Sequence, residues 1–127
     1  MAYYVAWHAM FHRCGPQNWL MLYALAHWAF GPSKLLDKIT DEARERILPD
    51  LMSGTKSMCF GLSEPNAGSD VSMINTRAVK EGDGWRISGR KIWTSNAPVA
   101  DYCVIFAVTD PDKAAARRGG ISGFIVP

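Results

Sequence analysis

In CFGLSEPNAGSD (residues 59–70) and again in GRKIWTSNA (residues 89–97), a short apolar run stops abruptly in small, hydroxyl-bearing and turn-forming residues. Each run therefore delivers Ser or Thr hydroxyls and free backbone amides to the end of a strand. That is the makeup of a site for a flat ligand with polar edges. The two clusters converge if the segments between them pair as antiparallel strands, because pairing brings strand ends on one rim together.

Working outward, the segments around these clusters read as strands. Residues 57–62, 75–80, 85–88, 91–93, 102–109 and 121–126 are short runs rich in β-branched and aromatic residues. Glu81-Gly82-Asp83-Gly84 between two of them predicts a tight hairpin turn, since Asp-Gly tolerates positive φ. The polar stretch DPDKAAARRGG, residues 110–120, reads as a solvated connector whose AAARR centre has the composition of one helical turn.

Upstream of Gly54 the composition is helical. Thr40 followed by Asp41 and Glu42 predicts a hydroxyl cap with two acids in the first turn, opening a helix over residues 41–48 that Pro49 stops. Residues 2–13 and 18–30 are rich in Ala, Leu, Met and aromatics. Trp19, Leu22, Tyr23 and Ala26 fall at helical spacing, with Gly15-Pro16 and Gly31-Pro32 as breaks. The resulting fold class is α+β, an N-terminal α-helical segment followed by an antiparallel β-sheet or barrel-like domain. The junction falls near residues 51–55.

Composition bounds the function. A hydrophobic share of 48% and a charged share of 20% are those of a folded globular chain. The net charge of +2 is dispersed, without the basic stripe that neutralises phosphates, so nucleic acid is not an expected partner. The three cysteines, Cys14, Cys59 and Cys103, are far apart, which suggests neither a disulfide framework nor a zinc site and points to a reducing compartment. The uncharged run over residues 14–33 is interrupted by Pro16, Gln17, Asn18 and His27, which suits a buried helix rather than a membrane span. No secretion signal is visible, although 127 residues is small for a cofactor enzyme and suggests an excised piece.

Other chemistry finds little support. His8 and His12 lie four apart on a helix but have no third ligand nearby, so no metal is expected. All three histidines fall in the first 27 residues, away from any serine elbow, which argues against Ser-His-Asp catalysis. Only two carboxylates, Glu64 and Asp70, sit in the central stretch. Either can pin its loop by accepting from backbone amides, and neither reads as a proton-abstracting base.

SEPNAGSD, followed by GDGWRISGRKIWTSNAPVADYCVIFAVTDP and GGISGFIVP, resembles the acyl-CoA dehydrogenase family, and TDEARERILPDLMSG is similar to that family's segment before its middle domain. The motifs recur in order over residues 40–127. The family consists of flavoenzymes that introduce an α,β double bond into acyl-CoA thioesters, and FAD is the implied cofactor. The resemblance implies that residues 1–54 belong to the N-terminal helical domain and residues 55–127 to the first part of the middle β-domain. It further implies that Phe60, Gly61, Leu62, Ser63, Glu64, Pro65, Gly68 and Ser69 line one side of the isoalloxazine and that Trp93, Thr94 and Ser95 cover the other. Ser63 would donate toward the N1/O2 edge, Ser95 would lie near N5/O4, Trp93 would pack on the ring, and Ser69 would also contact the acyl-CoA substrate. The family usually carries Thr where Ser63 stands and an aliphatic residue in place of Thr94. Ser63 keeps the hydroxyl but lacks the methyl that fixes its rotamer.

No catalytic residue is assigned, because the family's catalytic Glu resides on a C-terminal helical bundle. The resemblance also implies an electron-transfer flavoprotein or similar acceptor, a homo-oligomer (dimer or tetramer) when complete, and a cytoplasmic location, or the mitochondrial matrix in a eukaryote. Two alternatives stay open at this stage. One is an acyl-CoA oxidase or flavin-dependent monooxygenase on the same scaffold, and the other a non-catalytic binding module reusing the half-barrel.

Overall fold

The computed structural model describes residues 37–127, together with Arg13 and Leu35. The helices expected over residues 2–13 and 18–30 therefore lie, Arg13 apart, outside the described residues, as do the three histidines and Cys14.

Helix α1 (Asp41–Ser53) begins as its sequence predicts. Thr40 is extended, and its hydroxyl oxygen accepts the N–H of Ala43 at 3.3 Å, with Asp41 and Glu42 in the first turn. The expected stop before Pro49 is corrected: the helix runs through Pro49 to Ser53. The carbonyl that Pro49 cannot serve belongs to Glu45, and both residues are exposed, so water can take up the freed acceptor. The true stop is Gly54, which adopts the left-handed conformation (φ 74°) and donates its N–H to the Leu51 carbonyl at 3.3 Å.

Five strands form one sheet: β1 (Met58–Gly61), β2 (Arg77–Glu81), β3 (Gly84–Ser88), β4 (Tyr102–Val108) and β5 (Ile121–Val126). Strand β4 is the central one. Strand β5 pairs with it antiparallel from Cys103↔Val126 to Val108↔Ile121. On its other edge β1 pairs from Met58↔Tyr102 to Gly61↔Ile105, and β2 takes over at Arg77↔Val108. Both of these pairings are parallel, so the expected antiparallel sheet is in fact mixed. The chain leaves β1, forms the β2–β3 hairpin and crosses over before entering β4 in the same direction, which is the long connection that parallel neighbours require. The hairpin itself is antiparallel, Arg77↔Ser88 to Glu81↔Gly84, and Gly82 takes the positive φ (55°) of its two-residue turn. Among the described residues the outer edge of β5 has no partner strand.

Two further expectations change. Residues 91–93 do not form a strand, because Trp93 (φ 58°) and then Asn96 (φ 64°) turn the backbone out of extended geometry. Within the polar connector, a short helix α2 (Pro111–Ala115) is capped by Asp110, whose carboxylate accepts from the N–H of Lys113 at 3.1 Å.

The core lies between α1 and one face of the sheet. Ile47, the only fully buried large side chain among the described residues, meets Met58 and Val104, with Leu51, Phe60, Phe106 and Ile125 around them. A second cluster of Ala67, Ile74 and Val108 seats the loop after β1 over the end of β4. The alternation that sends Met58 and Phe60 to the α1 side sends Cys59 and Gly61 to the other. That second face is where residues 91–95 return. No helix among the described residues is long and apolar enough to cross a membrane.

Candidate functional site

Strand β1 ends at Gly61, and the chain leaves the sheet through Leu62 and Ser63. A tight loop follows, closed by reciprocal bonds between Glu64 and Ala67 (Glu64 N–H to Ala67 O, 2.9 Å; Ala67 N–H to Glu64 O, 3.1 Å). Pro65 at its tip is exposed, as are Gly68 and Ser69 beyond it. Pro65 also fixes Glu64 as extended, which turns the Glu64 side chain inward.

Glu64 is 5% exposed and fully engaged. Its carboxylate accepts from the backbone N–H groups of Asn75 (2.6 Å) and Thr76 (3.0 Å), from the Thr76 hydroxyl (2.5 Å) and from the Lys91 ammonium (2.7 Å). Burial by itself would raise this carboxyl. The bonds from Lys91, Thr76 and Asn75 outweigh it and hold the group down at about 2, against an ordinary value of 4.5. The carboxylate is thus a permanent acceptor for its own loop and cannot abstract a proton. Asp70 is likewise occupied: it accepts from the Ser72 hydroxyl (2.5 Å) and N–H (3.1 Å) and pairs with Arg117 (2.9 Å). The Ser72 hydroxyl, ahead of Arg117, lowers its pKa. The sequence-level reading of both acids as loop pins holds.

The second rim comes back alongside the first. The N–H of Ile92 donates to the Ser63 carbonyl at 2.9 Å, and Lys91 Nζ donates to the Leu62 carbonyl at 3.1 Å. A methyl on Gly61 would stand 3.5 Å from Lys91 Cγ and 3.7 Å from the Thr94 hydroxyl, so Thr94 lies directly over the end of β1. Ser63 and the segment Trp93, Thr94, Ser95 therefore share one ledge. The convergence foreseen from sequence occurs: the β2 and β3 segments between the two clusters pair antiparallel, and a loop-to-loop backbone bond joins the rims.

Among the described residues, the hydroxyls of Ser63, Ser69, Thr94 and Ser95 bond to nothing, and neither do the backbone N–H groups of Ser63, Thr94 and Ser95. Trp93 is 86% exposed and holds a positive φ that a bulky side chain adopts only under constraint. The ledge thus offers several unspent donors and an aromatic face held out in solvent. Two of the sequence-predicted residues contribute differently. The Phe60 ring packs on Phe106 (centroids 5.2 Å apart) in the core, and the Glu64 side chain is consumed inside its loop, so each has only its main chain to offer a ligand.

Lys91 and Thr76 escaped the sequence reading. Unlike charges at positions 64 and 91 carry no spacing signal, and Thr76 sits in a run that reads as an ordinary strand. Beneath the ledge, Cys59 and Cys103 face each other in register. Burial, then the Cys59 thiol, pushes the Cys103 thiol up to about 12, so it stays protonated and is no nucleophile. The described residues contain no group of three or more potential metal ligands.

A family model described as acyl-CoA dehydrogenase, middle domain, matches residues 59–127. Among curated proteins, the short-chain-specific acyl-CoA dehydrogenase of Clostridium acetobutylicum is 37% identical over 126 residues, which is 99% of this chain and 32% of that protein. Among solved structures, a FAD-dependent dehydrogenase superposes with a TM-score of 0.64 at 36% identity, over 69% of this chain and 23% of its own. The prolyl acyl carrier protein oxidase AnaB does so with a TM-score of 0.69 at 35% identity, over 80% and 26%. The chain spans about a third or less of the length of each of these relatives.

Proposed function

Because this chain belongs to the acyl-CoA dehydrogenase family, we propose that its ledge holds part of the isoalloxazine of FAD in an enzyme that dehydrogenates an acyl-CoA thioester between its α and β carbons. The observation that carries the reading is the pair of adjoining rims with unspent donors, Ser63 on one and Thr94 and Ser95 on the other, beside an exposed Trp93. FAD bound there supplies the acceptor for the hydride leaving the β carbon. The residues of this chain bind and orient. The Ser63 hydroxyl and amide present preorganised donors to a ring edge that gains negative charge, Ser95 does the same from the second rim, and Trp93 offers an apolar face. Gly61, Leu62, Pro65 and Gly68 shape the first rim, Phe60 and Glu64 reach the ring only through their backbone, and Ser69 is assigned to the acyl-CoA.

On this reading residues 1–54 close the N-terminal helical domain and residues 55–127 begin the middle β-domain. The proton-abstracting base lies outside residues 1–127. The electron acceptor is an electron-transfer flavoprotein or a similar carrier, the complete enzyme is a homo-oligomer, and its compartment is the cytoplasm or, in a eukaryote, the mitochondrial matrix. The likeness to an oxidase supports a second reading, in which oxygen is the acceptor. Peroxide formation measured against reduction of an electron carrier separates the two.

Ser63→Ala in the complete enzyme is expected to slow flavin reduction by acyl-CoA at least about tenfold, a loss of roughly 1.4 kcal/mol. Unchanged bleaching of the flavin band would count against the role given to Ser63. Residues 1–127 expressed alone supply only part of the ring's surroundings, and this polypeptide is expected to purify colourless and without turnover. A yellow preparation with a flavin absorption band would overturn that expectation.

A further inference from the structure

Three consecutive residues of the first rim are each tied to the start of the second. The Leu62 carbonyl and the Glu64 carboxylate both accept from Lys91 Nζ (3.1 and 2.7 Å), and between them the Ser63 carbonyl accepts from the N–H of Ile92 (2.9 Å). The Lys91 side chain is only 11% exposed, and its aliphatic stem rests on the end of β1, with Cγ within van der Waals reach of a Cβ at Gly61. Glu64 in turn is anchored to Asn75 and Thr76, the two residues that lead into β2. A buried ion pair is a poor way to gain stability alone, since apolar side chains of like volume do as well. What it adds is direction, because an ammonium held by two acceptors has few alternative positions.

We propose that Lys91 is a positioning residue that fixes the spacing between Ser63 and the Trp93–Ser95 rim, so that donors from both sides address one ligand. Its functional meaning rests on the reading of the ledge as a flavin site. The stitch itself can be examined without any flavin.

The test is amide hydrogen exchange on the full chain, unaltered and as Lys91→Met. Exchange of the Ile92 N–H is expected to rise at least about tenfold more than that of the β4–β5 ladder, which reports the loss of global stability from the broken pair, and the amide signals of Ser63, Thr94 and Ser95 to shift or broaden. Unchanged Ile92 exchange would overturn the proposal, as would an equal rise across the whole sheet, which is the mark of a purely structural lysine. Should Lys91→Met fail to fold, the unaltered chain answers instead. A held ammonium gives an exchange-protected Lys91 Nζ signal at low temperature, and a freely exchanging one refutes the stitch. A flavin that failed to bind would sink the functional reading and leave these results standing.

Discussion

Glu64→Ala is expected to cost about 3–5 kcal/mol of folding free energy, the range for removing one partner of a buried ion pair. The substitution leaves the Lys91 ammonium uncompensated in a site it cannot leave cheaply, and it orphans the N–H groups of Asn75 and Thr76 and the Thr76 hydroxyl. A loss of that size is comparable with the whole stability of a small domain, so the variant is expected to be largely unfolded in buffer where the unaltered chain is folded. Urea titration followed by circular dichroism measures it, and a loss under about 1 kcal/mol would show that the network is dispensable. Acid acts on the same network, together with the lowered carboxyls of Asp70, Asp101 and Asp110. The folded-state carboxyl lies at about 2 and the ordinary value is 4.5, so the contribution of Glu64 is complete above pH 4.5 and is lost as the pH falls through about 2. The shift corresponds to a contribution on the order of 3 kcal/mol.

Gly89→Ala is expected to destabilise the chain by about 2–4 kcal/mol, through contact alone. A Cβ at this position would meet the Thr76 hydroxyl and stand 2.6 Å from Thr76 Cα and 2.7 Å from its Cβ. Thr76 cannot step aside. Its N–H and hydroxyl are bound to Glu64, and its carbonyl accepts from the N–H of Val108 at 2.8 Å, the contact that brings the β2–β3 hairpin to β4. The added methyl therefore pushes either the hairpin off β4 or Thr76 off Glu64. Gly84→Ala is the control, since the Cβ there would meet only the Glu81 carbonyl at 3.8 Å, and its midpoint in thermal unfolding is expected to stay close to that of the unaltered chain. Equal midpoints for the two variants would remove the steric argument.

The parts of this molecule that depend on neighbours in sequence could be read from it. Strand β5 starts and stops where its apolar run does, the β2–β3 hairpin follows its turn residues, and the Thr40 cap opens α1. The two rims also meet, as antiparallel pairing of the segments between them implied. The parts that depend on partners far along the chain could not be read. Whether β1 lies parallel or antiparallel to β4 is decided by where the hairpin docks, which no local pattern records. Pro49 costs the helix a hydrogen bond and a clash at the Glu45 carbonyl, a cost that is lower where that carbonyl reaches water, and burial is a tertiary property. Lys91 reads as a surface lysine until Glu64, held inward by Pro65, is placed against it. Trp93 in the left-handed region contradicts every local preference of an aromatic residue, and it persists because both neighbouring segments are fastened to other parts of the fold.

The margin of β5 that has no partner strand among the described residues is expected to limit how this polypeptide can be handled. ISGFIV carries no charge and no proline, and its outward N–H and C=O groups are a ready template for a strand from another copy. Self-association through that margin is therefore the expected limit on how concentrated a solution of the chain can be kept, and a single lysine placed there is the simplest remedy.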